Sequence, residues 1–160
     1  MHRIELAVMA MLALLAPLTG GHTRASESFD YDAYQPTTLD DLAATVPNIT
    51  EGMDIFLKKR QFEAVQVSEP KRCTAVIVGR VLRMQGVTEP PATAHCMKLR
   101  SPKGLEVEVF IQDTLVSDPA RELKKGARLR VYATYFYFAA ASKRMGLLVN
   151  AYTAMEATVP

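Results

Sequence analysis

The chain has 160 residues, 49% of them apolar and 22% charged, with a formal net charge of +2. That composition excludes a disordered, fibrous or coiled-coil chain and points to a single globular domain. Much of the apolar excess sits in one N-terminal block, so the average misdescribes the part that folds.

Residues 1–25 open with Arg3, run through an apolar stretch from Leu6 to Ala16, break at Pro17 and reach Thr23-Arg24-Ala25. A basic head, an apolar run and a small-x-small stop make a secretory signal peptide, cleaved after Ala25, with Ala16 and the Gly20-Gly21 region as alternative sites. The run is roughly a dozen residues, against about 20 for a membrane-spanning helix, so no transmembrane segment is expected in the mature chain. No cysteine follows it to accept a lipid. The expected location is outside a bacterial cytoplasm, periplasmic or secreted. Cleavage leaves about 135 residues and a net charge of about +1, too balanced to imply a polyanionic partner from bulk charge. His2 and His22 leave with the leader, and His95 alone remains.

The mature chain divides into an N-terminal arm with short helices at 26–60 and a β domain at 61–160. From Ser26 to Gln35 the sequence is polar with Phe29, Tyr31 and Tyr34 and no period, which predicts an extended arm. Leu39, Leu42, Ala43 and Val46 have helical spacing, with Asp40 and Asp41 in the first turn and Pro47 as the stop. A second short helix is predicted over Thr50–Lys59, burying Met53, Ile55 and Phe56 and ending on lysines.

From Gln61 the pattern changes to strands. Phe62 to Val67 alternates weakly, and Cys73 to Met84 is a β-branched run that predicts one long strand bent at Gly79. Residues 85–94 form a loop by their Gly and Pro-Pro content. His95 to Arg100 then predicts a strand with Met97 and Leu99 on one face and Lys98 and Arg100 on the other. After a turn at residues 101–104, Leu105, Val107, Val109 and Ile111 form the inner face of the next strand, against Glu106, Glu108 and Phe110. Ser117 to Gly126 predicts a short helix. Arg128 to Phe138, with Leu129, Val131 and Ala133 inward, and Gly146 to Met155 supply two more strands.

Five strands with one helix between strands 3 and 4 make a mainly β chain with the layout of an OB-fold, a five-stranded Greek-key barrel, here preceded by short helices. In wording, Ala75-x-Ile77-x-Gly79-x-Val81 is similar to the bent first strand of such domains, and Leu123-Lys-Lys-Gly126-Ala-Arg-Leu129-Arg-Val131 to their helix end and fourth strand. The chain resembles the anticodon-binding-like OB domains found alone in bacterial exported proteins, over residues 62–156. It departs from many of them in carrying Ala133 where they have glycine. The resemblance implies architecture first, because this fold hosts many functions.

Cys73 and Cys96 are the only cysteines, and export makes a disulfide the natural expectation. Strand phase opposes it: Cys73 points inward with Ala75 and Ile77, whereas Cys96 is out of phase with inward Met97 and Leu99. Buried free thiols are the alternative. His95-Cys96-Met97 does not make a metal site, since neighbouring strand residues face opposite ways and no second histidine completes a ligand set. No cofactor is expected. Catalysis has little support either: there is no nucleophile motif or carboxylate cluster, and His95 has no evident orienting partner.

What remains is a basic and aromatic face: Lys98, Arg100, Lys103, Phe110, Arg128, Arg130, Tyr132, Phe136, Lys143 and Arg144. Glu106 and Glu108 interrupt it. OB domains bind oligonucleotides or oligosaccharides with cationic grooves and stacking rings. The expectation is a non-enzymatic exported OB-fold module that uses this face, with the loops at 85–94 and 139–146, to engage a protein or envelope component; single-stranded oligonucleotide or oligosaccharide binding is the alternative.

Overall fold

The structure is a computed structural model that describes residues 29–44, 51–117 and 123–155. The predicted leader lies outside the described residues, as do Pro47 and the middle of the helix predicted over Ser117–Gly126. Among the described residues, no helix is long and apolar enough to cross a membrane.

The chain is mainly β. A 3-10 turn at Tyr31–Ala33 leads into β1 (Gln35–Pro36), α1 (Leu39–Ala44), β2 (Met53–Gln66) and β3 (Lys71–Arg72). Then come α2 (Val76–Met84), β4 (His95–Arg100), β5 (Glu106–Ile111), α3 (Asp113–Val116), β6 (Arg128–Ala139) and β7 (Arg144–Ala154). There are seven strands among the described residues rather than the five expected, because the two-residue β1 and β3 add themselves beside β2 and β4. The order in the sheet is β1-β2-β6-β7-β5-β4-β3, and β2 also pairs with β4. The pairing β5–β7 is parallel, while β2–β6, β6–β7, β4–β5 and β2–β4 are antiparallel.

Two predicted elements are wrong in kind. Residues 53–59 form the first half of β2, not a helix: β6 is 12 residues long and offers hydrogen-bonding partners from Met53 to Val65, so pairing overrides a weak local helical pattern. Residues 76–84 form α2, not a bent strand. A strand would bury every second residue, yet the buried set is Ala75, Val78, Val81 and Leu82, the spacing of one helix face. Val76 and Met84 stand 68% and 65% exposed on the other side. The β-branched composition of this stretch disfavours a helix by only a few tenths of a kcal/mol per residue, less than burial of three aliphatic side chains returns.

Of the predicted inward sets, Leu105 and Val107 are only half-buried, while Met97 and Leu99 on β4, Val109 and Ile111 on β5, and Leu129, Val131 and Ala133 on β6 are buried as expected. They pack with Phe62, Leu147 and Val149 into one core, closed by Leu39 and Leu42 of α1. Helix α1 is held in place twice. The Thr38 hydroxyl accepts from the Asp41 amide, capping its start, and Ser101 donates from its hydroxyl to Asp40 at 2.8 Å across the core.

A second core lies on the opposite face of the sheet, where α2 packs Val78, Val81 and Leu82 over Phe136, Tyr137 and Leu148. Phe136 and Tyr137 are consecutive yet join the same cluster, because a bulge between Tyr135 and Tyr137 interrupts the β6–β7 register. Gly146 pairs with Tyr137 there, and any Cβ at that position would run into the Tyr137 ring. A third cluster is aromatic: Phe29 stacks on Tyr34, and both lie within 6 Å of the Tyr132 ring, fastening the N-terminal arm to β6.

Candidate ligand-binding cleft

Between α2 and the arm the outer face of the sheet is left uncovered, and a cleft of about 610 Å³ forms there. Its floor is Thr134 of β6, Leu148 and Asn150 of β7, and Gln112 just after β5. Leu82, Val87 and Pro91 line it from α2 and the following loop, and Ala33 and Gln35 from the arm. Leu57, Lys58, Lys59 and Arg60 complete the lining from β2, just past the bulge between Ile55 and Lys58.

The floor carries an ordered polar chain in apolar surroundings. Gln112 donates from Nε2 to Asn150 Oδ1 at 2.8 Å, and Asn150 donates from Nδ2 to Thr134 Oγ1 at 2.8 Å and to Tyr34 Oη at 3.1 Å. Burial pushes the Tyr34 phenol above its usual range, with the Asn150 hydrogen bond opposing and the Asp30 charge adding, so Tyr34 stays neutral. The cations at the cleft are positioned by the arm and by rings. Lys59 sits 5.6 Å from the centre of the Tyr34 ring, Lys58 5.1 Å from that of Phe56, and Arg60 hydrogen-bonds Gln35. Leu57, 40% exposed, adds an apolar surface between them. The chemistry on offer is an apolar trough with fixed amide groups at its base, Lys59 on the cleft face of β2, and Lys58 and Arg60 bordering it from the core-side face of the same strand.

The residues expected to form one basic, aromatic face are not brought together. Lys98, Phe110, Lys143 and Arg144 share a separate groove of about 530 Å³ with Glu106 and Glu108. Arg100 lies 3.9 Å from Glu106. Arg128 and Arg130 both turn to Glu63, at 3.7 and 3.2 Å. Lys103 is exposed in the turn after β4. Tyr132 is covered by the arm, and Phe136 is fully buried beneath α2. Of the two loops expected to contribute, 85–94 supplies Val87 and Pro91 to the cleft, while residues 140–143 form a tight turn between β6 and β7. The cleft residues carried one signal in the sequence, the run Lys58-Lys59-Arg60, which reads equally well as the basic end of a helix.

The cysteine geometry also changes. The Cys73 and Cys96 sulfurs are at disulfide distance, with α-carbons 5.8 Å apart. The objection from strand phase fails because Cys73 follows the short β3, whose Lys71 pairs with Cys96, and is not part of a long strand. Nor is His95 without a partner: its Nδ1 lies 2.8 Å from Asp113 Oδ1, which also accepts from the Ala94 amide. That hydrogen bond, then the Ala94 amide and the charges of His95 and Arg72, hold the Asp113 carboxyl below its ordinary value of 3.8 against the opposing effect of burial. The pair clips the start of β4 to α3. A lowered native value means stability that is present above the ordinary carboxylate range and lost as pH falls through the native one. Asp113→Asn is therefore expected to lower the urea midpoint at pH 6, with the gap from wild type closing by about pH 2.

Compared with known proteins, the chain matches no family model and no curated protein.

Proposed function

We propose that this chain is a non-enzymatic binding module, exported from a bacterial cytoplasm, that engages a protein or envelope component through the cleft between α2 and the N-terminal arm. The observation that carries the reading is the cleft itself: about 610 Å³, apolar in its walls, with Lys59 facing it from β2, Lys58 and Arg60 at its border, and a hydrogen-bonded amide chain on its floor. Ligand sites combine a mostly apolar concavity with a few fixed polar groups in this way. The cations select a partner segment that pairs acidic groups with apolar side chains. Export is supported by the predicted leader and by a cysteine pair at disulfide distance. We further propose an OB-type barrel as the scaffold. The pairings β2–β6–β7–β5–β4–β2 run in a circuit, one of them parallel, and the five strands that make it are the long ones. The oligonucleotide or oligosaccharide alternative loses ground, since the cations on β4 and β6 are offset by Glu106, Glu108 and Glu63.

An anionic aromatic dye, 1-anilinonaphthalene-8-sulfonate, tests the cleft without knowledge of the partner. Titration of the native protein is expected to saturate at one dye per chain, with affinity at least fivefold lower in Lys59→Glu and unchanged in Lys103→Glu. Equal effects of the two substitutions would reject the cleft.

A further inference from the structure

A smaller cavity of about 370 Å³ opens on the other side of the arm, between β1, α1 and β2, at the edge of the main core. Its most unusual feature is a phenol. Tyr135 is 4% exposed and lines this cavity, and its Oη is buried with no hydrogen-bond partner among the described residues. A buried hydroxyl without a partner costs about 1–3 kcal/mol, which a fold does not carry for packing when phenylalanine would fill the same space.

Strand register explains the rest of the lining. Lys58 pairs with Tyr135, Arg60 with Ala133, Phe62 with Val131 and Ala64 with Leu129. Paired residues share a face, so Lys58 and Arg60 continue the row that carries Phe62 and Ala64 into the core. Two cations thus stand at core-side positions beside an unpartnered hydroxyl. Asp54 lies on the same lining, and its charge adds to burial in raising the Tyr135 phenol, so the hydroxyl keeps its proton. The apolar wall is Pro36, Leu42 and Phe56, the last meeting the Tyr135 ring edge-on at 4.5 Å.

We infer that this cavity is a binding site for a small zwitterion with an apolar body, of the α-amino acid class. Its carboxylate accepts from the Tyr135 hydroxyl and lies against Lys58 and Arg60. Its ammonium pairs with Asp54, and its side chain packs on Leu42, Pro36 and Phe56. Every polar group of the lining that bears a charge, and the orphaned hydroxyl, has a counterpart in such a ligand; a simple anion would leave Asp54 opposed, and a simple cation would leave Lys58 and Arg60 so. The site lies on the core side of β2 and the larger cleft on its other side, with Gln35, Lys58 and Arg60 at the border of both.

Isothermal titration of the full mature chain with L-leucine, N-acetyl-L-leucine and L-leucinamide tests the inference. Leucine is expected to bind saturably and each blocked analogue at least tenfold more weakly, since each forfeits one charge-assisted contact. Tyr135→Phe is expected to weaken leucine at least fivefold while leaving the thermal midpoint of the ligand-free protein equal to or above that of wild type. Asp54→Asn is expected to weaken leucine and leave N-acetyl-L-leucine unchanged. Absence of saturable leucine binding, or a blocked analogue binding as tightly as leucine, overturns the inference. So does a lowered ligand-free midpoint in Tyr135→Phe, which would show that the hydroxyl serves the fold.

Discussion

Phe136→Ala is expected to lower stability by about 3–5 kcal/mol, the range for truncating a buried aromatic ring. The ring is wholly inaccessible and forms the floor on which Val78, Val81 and Leu82 of α2 rest. Its loss leaves a cavity between a helix and a sheet, and a helix with no side-chain cap at Ala75 has little else to hold it. The effect is read as a shift in the urea midpoint. Met84→Ala, on the exposed side of the same helix, should change the midpoint by no more than about 0.5 kcal/mol. Equal small effects at both positions would mean that α2 does not pack on β6.

The second large effect belongs to the cysteines. A bridge between Cys73 and Cys96 closes a segment with a sequence separation of 23 residues. In the chain-entropy description it stabilises by about 3 kcal/mol. Cys73→Ser with Cys96→Ser is therefore expected to lose about that much, and reduction of the wild type to lose the same. The mechanical consequence is local: Cys73 lies three residues before α2, so the bridge ties the start of that helix to β4. Two free thiols in unreduced, denatured protein would contradict it.

Much of the β architecture was legible in the sequence. Alternation marks the core face of β4, β5 and the start of β6, where Met97, Leu99, Val109, Ile111, Leu129 and Val131 are buried on schedule, while the second half of β6 is buried on both faces. The errors came where local composition and tertiary demand disagree. Residues 76–84 are rich in valine and isoleucine, so their composition speaks for a strand while the spacing of the buried positions speaks for a helix. Met53 to Lys59 has too little pattern of its own, and the length of β6 decides its state.

The cleft was not legible for a different reason. Its floor joins Gln112, Thr134 and Asn150 with Tyr34, residues from four separate parts of the chain whose amide and hydroxyl groups carry no spacing signal. His95 and Asp113 are 18 residues apart and meet only because α3 follows β5, the partner strand of β4. Rings on β6 face both ways, and whether the outward ones are open or covered depends on α2 and the arm. Phe136 and Tyr132 turned out to be covered.

Site-specific photocrosslinking in the cell envelope tests the central claim most directly. A photoreactive residue at Leu57 or Val87, both lining the cleft, is expected to yield one discrete adduct that Lys59→Glu abolishes, with none from the same group at Lys103. A discrete adduct from Lys103 with none from Leu57 or Val87 would place binding outside the cleft and contradict the account.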